Sequence, residues 1–474
     1  MKISSRWHSD GGYREFLALA IPLILSTSLW SIQHFVNRMF LTWYSPEAIA
    51  AAMPAGLLNF AIVSLFIGTA SYTGTFVAQY SGAGMNSRIG SAVWQGVFFS
   101  VIGAVISLAL IPFAGPIFMM AGHSPEVRAL EEIYFKVLCF ASFPMIASSA
   151  MSGFFSGLSR PWIVFFIDIT ATVINIILDY CLIFGNLGFP ALGIKGAGIA
   201  SIIAVTAAFL LYLALLLRPG ESRRYGIATG FRFDRKLFLR LLKFGFPSGV
   251  QFFIDMAGFT VFVLLVGRLG TINLAATNIA FNINTLAFMP MLGAGIAVSV
   301  LTGKYIGMGR TDLSEKSTFS GFHFTMVYMG IVALLFAVTP GIFVGIYSSN
   351  AHGHDMAEIS RLTVILLRFV ALYSLFDAVS IIFSSTLKGA GDTKFVMVSI
   401  VISSVFVLIA PTWIALRLGG GIYACWAIAT TYVILLSFIF YFRFRNGAWK
   451  SMKVIEHVPV IPATCAEVPD ARLE

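Results

Sequence analysis

The chain has 474 residues, 58% of them hydrophobic and only 11% charged, with a mean hydropathy of +0.88. Soluble domains carry about 25% charged residues, so there is too little polar surface here to cover a water-soluble body. The net charge of +10 does not signal nucleic acid, because no binding fold is available to present it.

In chain order, the N-terminus MKISSRWHSDGGYREF is polar and has no signal-peptide hydrophobic region. Apolar stretches then follow one another, each able to cross a hydrocarbon core of ~30 Å as a helix. They fall at 16–42, 50–77, 91–119, 129–155, 161–184, 197–217, 241–267, 274–302, 319–346, 359–386, 394–416 and 421–442. These predict twelve transmembrane helices in an all-α polytopic membrane protein, with the first span acting as the insertion signal. Pro22, Pro54, Pro112, Pro144, Pro247 and Pro290 lie within or at the ends of spans and mark bending points. If the N-terminus is cytoplasmic, most of the 31 Lys and Arg residues fall on inside segments, the bias expected of a cytoplasmic surface. The largest group is Arg218, Arg223, Arg224, Arg232, Arg235 and Lys236, which could touch anionic lipid headgroups. The chain is therefore expected in the plasma (inner) membrane with both termini cytoplasmic, acting as a monomer among lipids. Cys139, Cys181, Cys425 and Cys465 show no paired spacing and read as small buried hydrophobes.

An internal repeat organises the chain. AIPLIL at Pro22 opens span one and GFPSGV at Pro247 opens span seven, an offset of 225 residues. The offset holds where AIAAAM (48–53) faces NLAATN (273–278), and where Tyr80, Gly82 and Gly84 face Tyr305, Gly307 and Gly309. Later, FSGLSRPW and LKGAGDTK correspond at an offset near 232. Six spans per half is an even number, so both halves enter from the same side, as parallel repeats about an axis along the membrane normal. The predicted units are a six-helix lobe over 1–217, a basic cytoplasmic linker over 218–236, a second lobe over 237–445, and a disordered cytoplasmic tail over 446–474. Such a body places a cavity between the lobes near the midplane.

Of the 21 acidic residues, Asp168, Asp179, Asp255 and Asp377 fall well inside spans. A charged Asp at a helix centre costs on the order of 3 kcal/mol on insertion scales, so each needs a reason. The plain alternative is a helix–helix hydrogen bond. Residues four apart share a helix face, and four spans carry polar pairs at that spacing: Gln33 with Asn37, Asn175 with Asp179, Gln251 with Asp255, and Tyr373 with Asp377. A shared wet cavity accounts for the alignment, with Gln33, His34 and Gln251 as further lining residues. His34 and Arg38, four apart in span one, read as packing or helix–helix bonding. Asp168 shares a face with Asp179 and fits either a cavity mouth or the cytoplasmic interface.

Enzyme signals are absent: there is no G-x-x-x-x-G-K-[ST], H-E-x-x-H or G-x-S-x-G, and no cofactor is implied. GAGD at 389–392 looks like the G-x-G-D string of intramembrane aspartyl proteases. It sits between Lys388 and Lys394 at a predicted boundary, and reads as a loop turn.

With these residues in place, the chain resembles the multidrug and toxic compound extrusion (MATE) transporters over about residues 15–445. The marks are PEAIAAAM, AQYSGAGM, NIILDYCLIFG with LGIKGAGIAS, FGFPSGVQFFID, LGTINLAATNIAFN and STLKGAGDTK, in that order. The resemblance implies a V-shaped twelve-helix fold whose lobes alternate between inward-open and outward-open. It implies an antiporter exporting organic, often cationic, small molecules against Na⁺ or H⁺. It further implies a C-lobe cation site of Asp255 and Asp377, the carboxylates that would hold Na⁺ as a metal, with Tyr373 beside them and Asn282 lining the same lobe. A second polar cluster, Asn175, Asp179 and Ser201, is implied in the N-lobe. There the family's span-one Asp is Asn37, which speaks against an N-lobe proton switch. A lipid-linked precursor flippase of the wider superfamily, or an intramembrane enzyme, remains as an alternative.

Overall fold

The computed structural model describes residues 6–120, 123–348 and 354–456, and among them the secondary structure is helical throughout, with no strand. Eleven helices are long and apolar enough to cross a membrane: Tyr13–Tyr44, Pro46–Gly82, Asn86–Met119, Pro161–Phe184, Gly193–Leu216, Arg235–Gly267, Thr271–Gly307, Thr311–Val338, Met356–Ala390, Thr393–Arg417 and Ile422–Arg445. A twelfth is the pair Pro125–Phe140 and Ser142–Gly157, bent by 43° at its break. Numbered in chain order, with the bent pair as span four, these are spans one to twelve. Several overrun the apolar stretches because their ends are polar but still helical. Span seven begins at Arg235, where the Asp234 side chain accepts from the Lys236 and Leu237 backbone N–H groups as an N-cap. Span nine stops sooner than its apolar run, at Val338. Pro340 then opens a separate helix, Pro340–Ser348, as a residue lacking an N–H does at a helix start.

The spans alternate in direction, so the start of span one and the end of span twelve lie on one face, called here the terminal face. The lobes meet along its half of the molecule. Three hydrophobic clusters mix residues of both lobes: Phe76 and Tyr80 with Leu237 and Leu241, Phe16 and Ala78 with Ala294 and Ile382, and Phe66 with Phe238. Toward the opposite face the clusters separate. Phe40, Ala51 and Tyr134 pack only within the first lobe, and Val266, Ala276 and Ile422 only within the second. The result is a V closed on the terminal face.

Glycines set how closely the lobes approach. Gly68 of span two lies against Gly249 of span seven, and Gly293 of span eight lies against Ile24 of span one. The repeat offset of 225 converts one contact into the other. On the terminal face, Gly82 and Gly307, also repeat mates, pack on each other: a Cβ on Gly82 would fall 2.0 Å from the Lys304 carbonyl oxygen. The repeat read from the sequence is thus a spatial pseudo-twofold.

The tail departs from expectation. Residues 446–456 are ordered: Trp449 is fully buried and stacks on Phe444 with ring centroids 5.2 Å apart. Val454 and Ile455 are buried between the lobes. The remainder of the expected disordered segment, 457–474, with Cys465, lies outside the described residues. The linker is also folded onto the body, with a short helix Pro219–Tyr225 and the Trp94 indole donating to the Ile227 carbonyl at 2.9 Å.

Asp392, in the GAGD turn, is buried on the terminal face, and Arg443 of span twelve donates to it at 2.7 Å. Gly391 before it has φ +112°, a conformation that favours glycine. A structural ion pair replaces the protease-like reading. Removing one partner of a buried pair costs about 3 kcal/mol, so Arg443→Ala should lower the melting temperature in detergent by several degrees. Asp392→Asn in the same chain should recover part of the loss. Unchanged melting in Arg443→Ala would show that the pair contributes nothing.

Candidate functional site

Where the V begins to open, one aromatic contact bridges the lobes, backed by a further ring of the first lobe. Trp30 of span one meets Phe60 of span two with centroids 4.9 Å apart, and Phe60 meets Phe252 of span seven edge-on at 5.9 Å. Thr27 adds a hydrogen bond to the Met289 carbonyl of span eight at 2.9 Å. Composition had offered 45 phenylalanines with no way to single any out. The fold selects Phe60 and Phe252 by position, as the floor of the cleft. At 1.5 Å per residue, Asp255 stands about 4.5 Å beyond Phe252, just past that floor.

In the second lobe the structure brings together Asp255, Asp377 and Tyr373. The Gln251 amide donates to Asp255 at 3.4 Å, the four-residue pair seen in the sequence. The charges of Asp255 and Asp377 act on one another, and that of Asp377 acts on Tyr373. Tyr373 is 4% exposed, and its hydroxyl has no protein partner. The Gln251 carbonyl oxygen is likewise buried without one. Buried polar groups are almost always hydrogen-bonded, so these two atoms beside two carboxylates suit a small cation or its water. A void of about 10 Å³ lined by Tyr373, Tyr432 and Trp426 lies on the Tyr373 side of this group.

Two further residues belong to this site and were not read from the sequence. Tyr432 of span twelve feels the charge of both Asp255 and Asp377 and hydrogen-bonds Ser404 at 3.1 Å. Ser404 opens a π-helical turn, 404–409, in span eleven, an irregularity that often marks functional positions. Lys388, three turns after Asp377 on span ten, places a positive charge that acts on Asp255. Asn282 is not brought in: its side chain is exposed on span eight, and no hydrogen bond ties it to the acid pair.

The first lobe carries a deeper cluster. Asn175 and Asp179 of span five are fully buried, and all four of their side-chain polar atoms lack a protein partner. The Tyr134 hydroxyl of span four feels the Asp179 charge and bonds the Asn37 side chain. Ser201 stands half-buried on span six, with no hydrogen bond to the cluster. Nearer the cleft floor, Gln33 is half-buried, and His34 is exposed and edge-on to Trp30 at 5.0 Å.

Asp168 has a different role. It accepts from Ser26 of span one and from Tyr212 of span six, the latter at 3.1 Å. It is a satisfied node holding three helices, with Ser26 one turn after Pro22 on span one. Among the described residues no group of three or more His, Cys, Asp or Glu side chains could hold a metal ion.

The MatE family profile matches residues 22–181 and 247–414. Its two segments start at Pro22 and Pro247, the positions that open the repeats. The probable multidrug resistance protein NorM of Rhizobium meliloti is 28% identical over 387 residues, covering 81% of this chain and 83% of the relative. The probable multidrug resistance protein NorM of Thermotoga maritima is 25% identical over 449 residues, covering 93% and 94%. Among solved structures, a MOP superfamily transporter from Pyrococcus furiosus superposes with TM-score 0.85 at 18% identity, over 95% of this chain and 99% of that one. An outward-facing multidrug resistance MATE family transporter of the MOP superfamily gives 0.85 at 17% identity, with the same coverage. At these identities the structures bear on the fold alone.

Proposed function

Because the chain belongs to the MatE family, it is a multi-pass membrane transporter of small molecules and not an enzyme; from that premise we propose an antiporter that exports organic, cationic or amphipathic compounds by alternating access, driven by inward Na⁺ or H⁺ movement. The positive bias of the terminal face supports assigning it to the cytoplasm, so that the V opens outward.

The observation that carries the reading is the pair Asp255 and Asp377 at the cleft floor, beside unpartnered Tyr373 and Gln251 atoms. Two like charges held out of water resist joint ionisation, and a proton or small cation relieves them. In the outward-open state the pair takes the coupling ion. Neutralised, it no longer holds a cationic substrate, and the lobes can close over it. Once open to the cytoplasm, loss of the ion restores negative charge and draws the next substrate. The cycle turns only on the difference in affinity between the two states. The aromatic floor of Trp30, Phe60 and Phe252 offers ring faces to an organic cation.

A second reading gives the coupling ion to the first lobe. It is favoured by the four unpartnered atoms of Asn175 and Asp179, against the two of Gln251 and Tyr373 at the second-lobe site. Efflux of a fluorescent organic cation from proteoliposomes, under separately imposed sodium and proton gradients, tests both. One gradient should drive efflux several-fold above the leak. Asp179→Asn should keep that response if the second lobe couples, and lose it if the first does. No response to either gradient would end the antiport reading.

A further inference from the structure

The terminal-face seal between the lobes is built twice, and the second copy lacks a carboxylate of its own. In the first copy, Glu15 at the start of span one accepts from Lys304 Nζ at 2.9 Å and from the Tyr305 hydroxyl, both at the end of span eight. The offset of 225 carries Glu15, Lys304 and Tyr305 onto Arg240, Gln79 and Tyr80. An arginine thus stands where the seal needs an acid, and a neutral amide where the first copy has the lysine.

The chain beyond span twelve supplies what is missing. Glu456 accepts from Tyr80 Oη at 2.7 Å and from Arg88 at 3.2 Å, and pairs with Arg240 at 3.3 Å. Two residues earlier, the Val454 N–H donates to Gln79 Oε1 at 2.9 Å, while Gln79 Nε2 donates to the Gly389 carbonyl at 3.0 Å. Val454 and Ile455 are buried against Phe76 and Tyr80 of the first lobe and Leu237 and Leu241 of the second. One short segment therefore joins the ends of spans two, three, seven and ten. We infer that residues 452–456 are a gating strap, and that Glu456 is the positioning residue whose carboxylate holds the lobes together on the terminal face.

Glu456 is ionised while it does so. Burial alone would raise its pKa, but the bonds from Tyr80 and Arg88 and the charge of Arg240 outweigh this and hold it below the usual carboxylate value. The latch is thus fully present above the ordinary carboxylate range and is lost only as pH falls below it. Release in the transport cycle comes from lobe motion instead.

The inference rests on alternating access, and the experiment separates the two. Spin labels are placed at Ser87→Cys and Met308→Cys, on opposite lobes of the terminal face, in a Cys465→Ser background in proteoliposomes. Pulsed electron resonance then reads the distance between them. The parent should show a dominant short distance and a minor long one that responds to substrate. Glu456→Gln, which keeps shape and removes charge, should raise the long-distance fraction roughly tenfold or more, at unchanged melting temperature. Adding Arg240→Glu restores a carboxylate at the repeat position and should return the short distance, a rescue that loss of packing would not give. A parent with one distance under all conditions overturns alternating access itself. A responsive parent whose Glu456→Gln variant is indistinguishable from it overturns the strap alone.

Discussion

Replacing either Asp255 or Asp377 by asparagine is expected to bring gradient-driven efflux down to that of vesicles without protein. Asparagine keeps the size of the side chain, and an amide oxygen can still accept from Gln251, so the lobe should fold. It cannot carry a charge that comes and goes. The proposed cycle needs the acid pair to be negative when it meets substrate and neutralised when the coupling ion is aboard. A fixed neutral group removes the difference between those states, and a ligand with equal affinity for both shifts nothing. Loss of one charge contact should also weaken binding of a cationic probe about tenfold, roughly 1.4 kcal/mol, read by fluorescence anisotropy in detergent. Uncoupled downhill leak in the variants would support the assignment. Wild-type efflux in either would remove that residue from the coupling site.

Much of this site was legible before any coordinates, for a physical reason. A carboxylate in an apolar run is costly enough to stand out, and the four-residue spacing of Gln251 with Asp255 and Tyr373 with Asp377 survives in the helices because geometry fixes it. The lobes were legible because the Pro22 and Pro247 repeat leaves a periodic trace. What escaped was whatever depends on contacts between distant helices. Tyr432 is one of 15 tyrosines in an apolar span; only the π-turn of span eleven, invisible in composition, puts Ser404 against it. Asn282 has a suitable polar side chain but is exposed, with no hydrogen bond to the acids. The tail misled for the opposite reason. Its composition is that of a solvated segment, and its buried residues, Trp449, Val454 and Ile455, are too few and too scattered to signal burial. They are ordered by a groove that the rest of the fold creates.

Gly307→Ala is expected to cut efflux by about an order of magnitude or more while leaving the protein folded. A Cβ at that position would fall 2.2 Å from the Gln79 carbonyl oxygen, and the same atom on Gly249 would meet the Leu65 carbonyl at 2.1 Å. Both obstacles are helix backbone, which cannot step aside as a side-chain tip can. Forced overlap in a packed interface costs about 1–3 kcal/mol or more, and here there is a cheaper way out: the lobes can part on the terminal face. Gln79 is also the residue that holds Gly389 and Val454, so its displacement loosens the whole seal. The variant should therefore sit in the terminal-open conformer, with the Ser87–Met308 spin labels at the long distance, and should cycle poorly because it cannot close. Gly330→Ala is the matched control, since a Cβ there meets nothing within 4 Å, and it should transport like the parent. If Gly307→Ala instead shows the short distance and full efflux, the glycine contacts do not set the approach of the lobes. If it melts well below the parent, the contact serves folding and not the cycle.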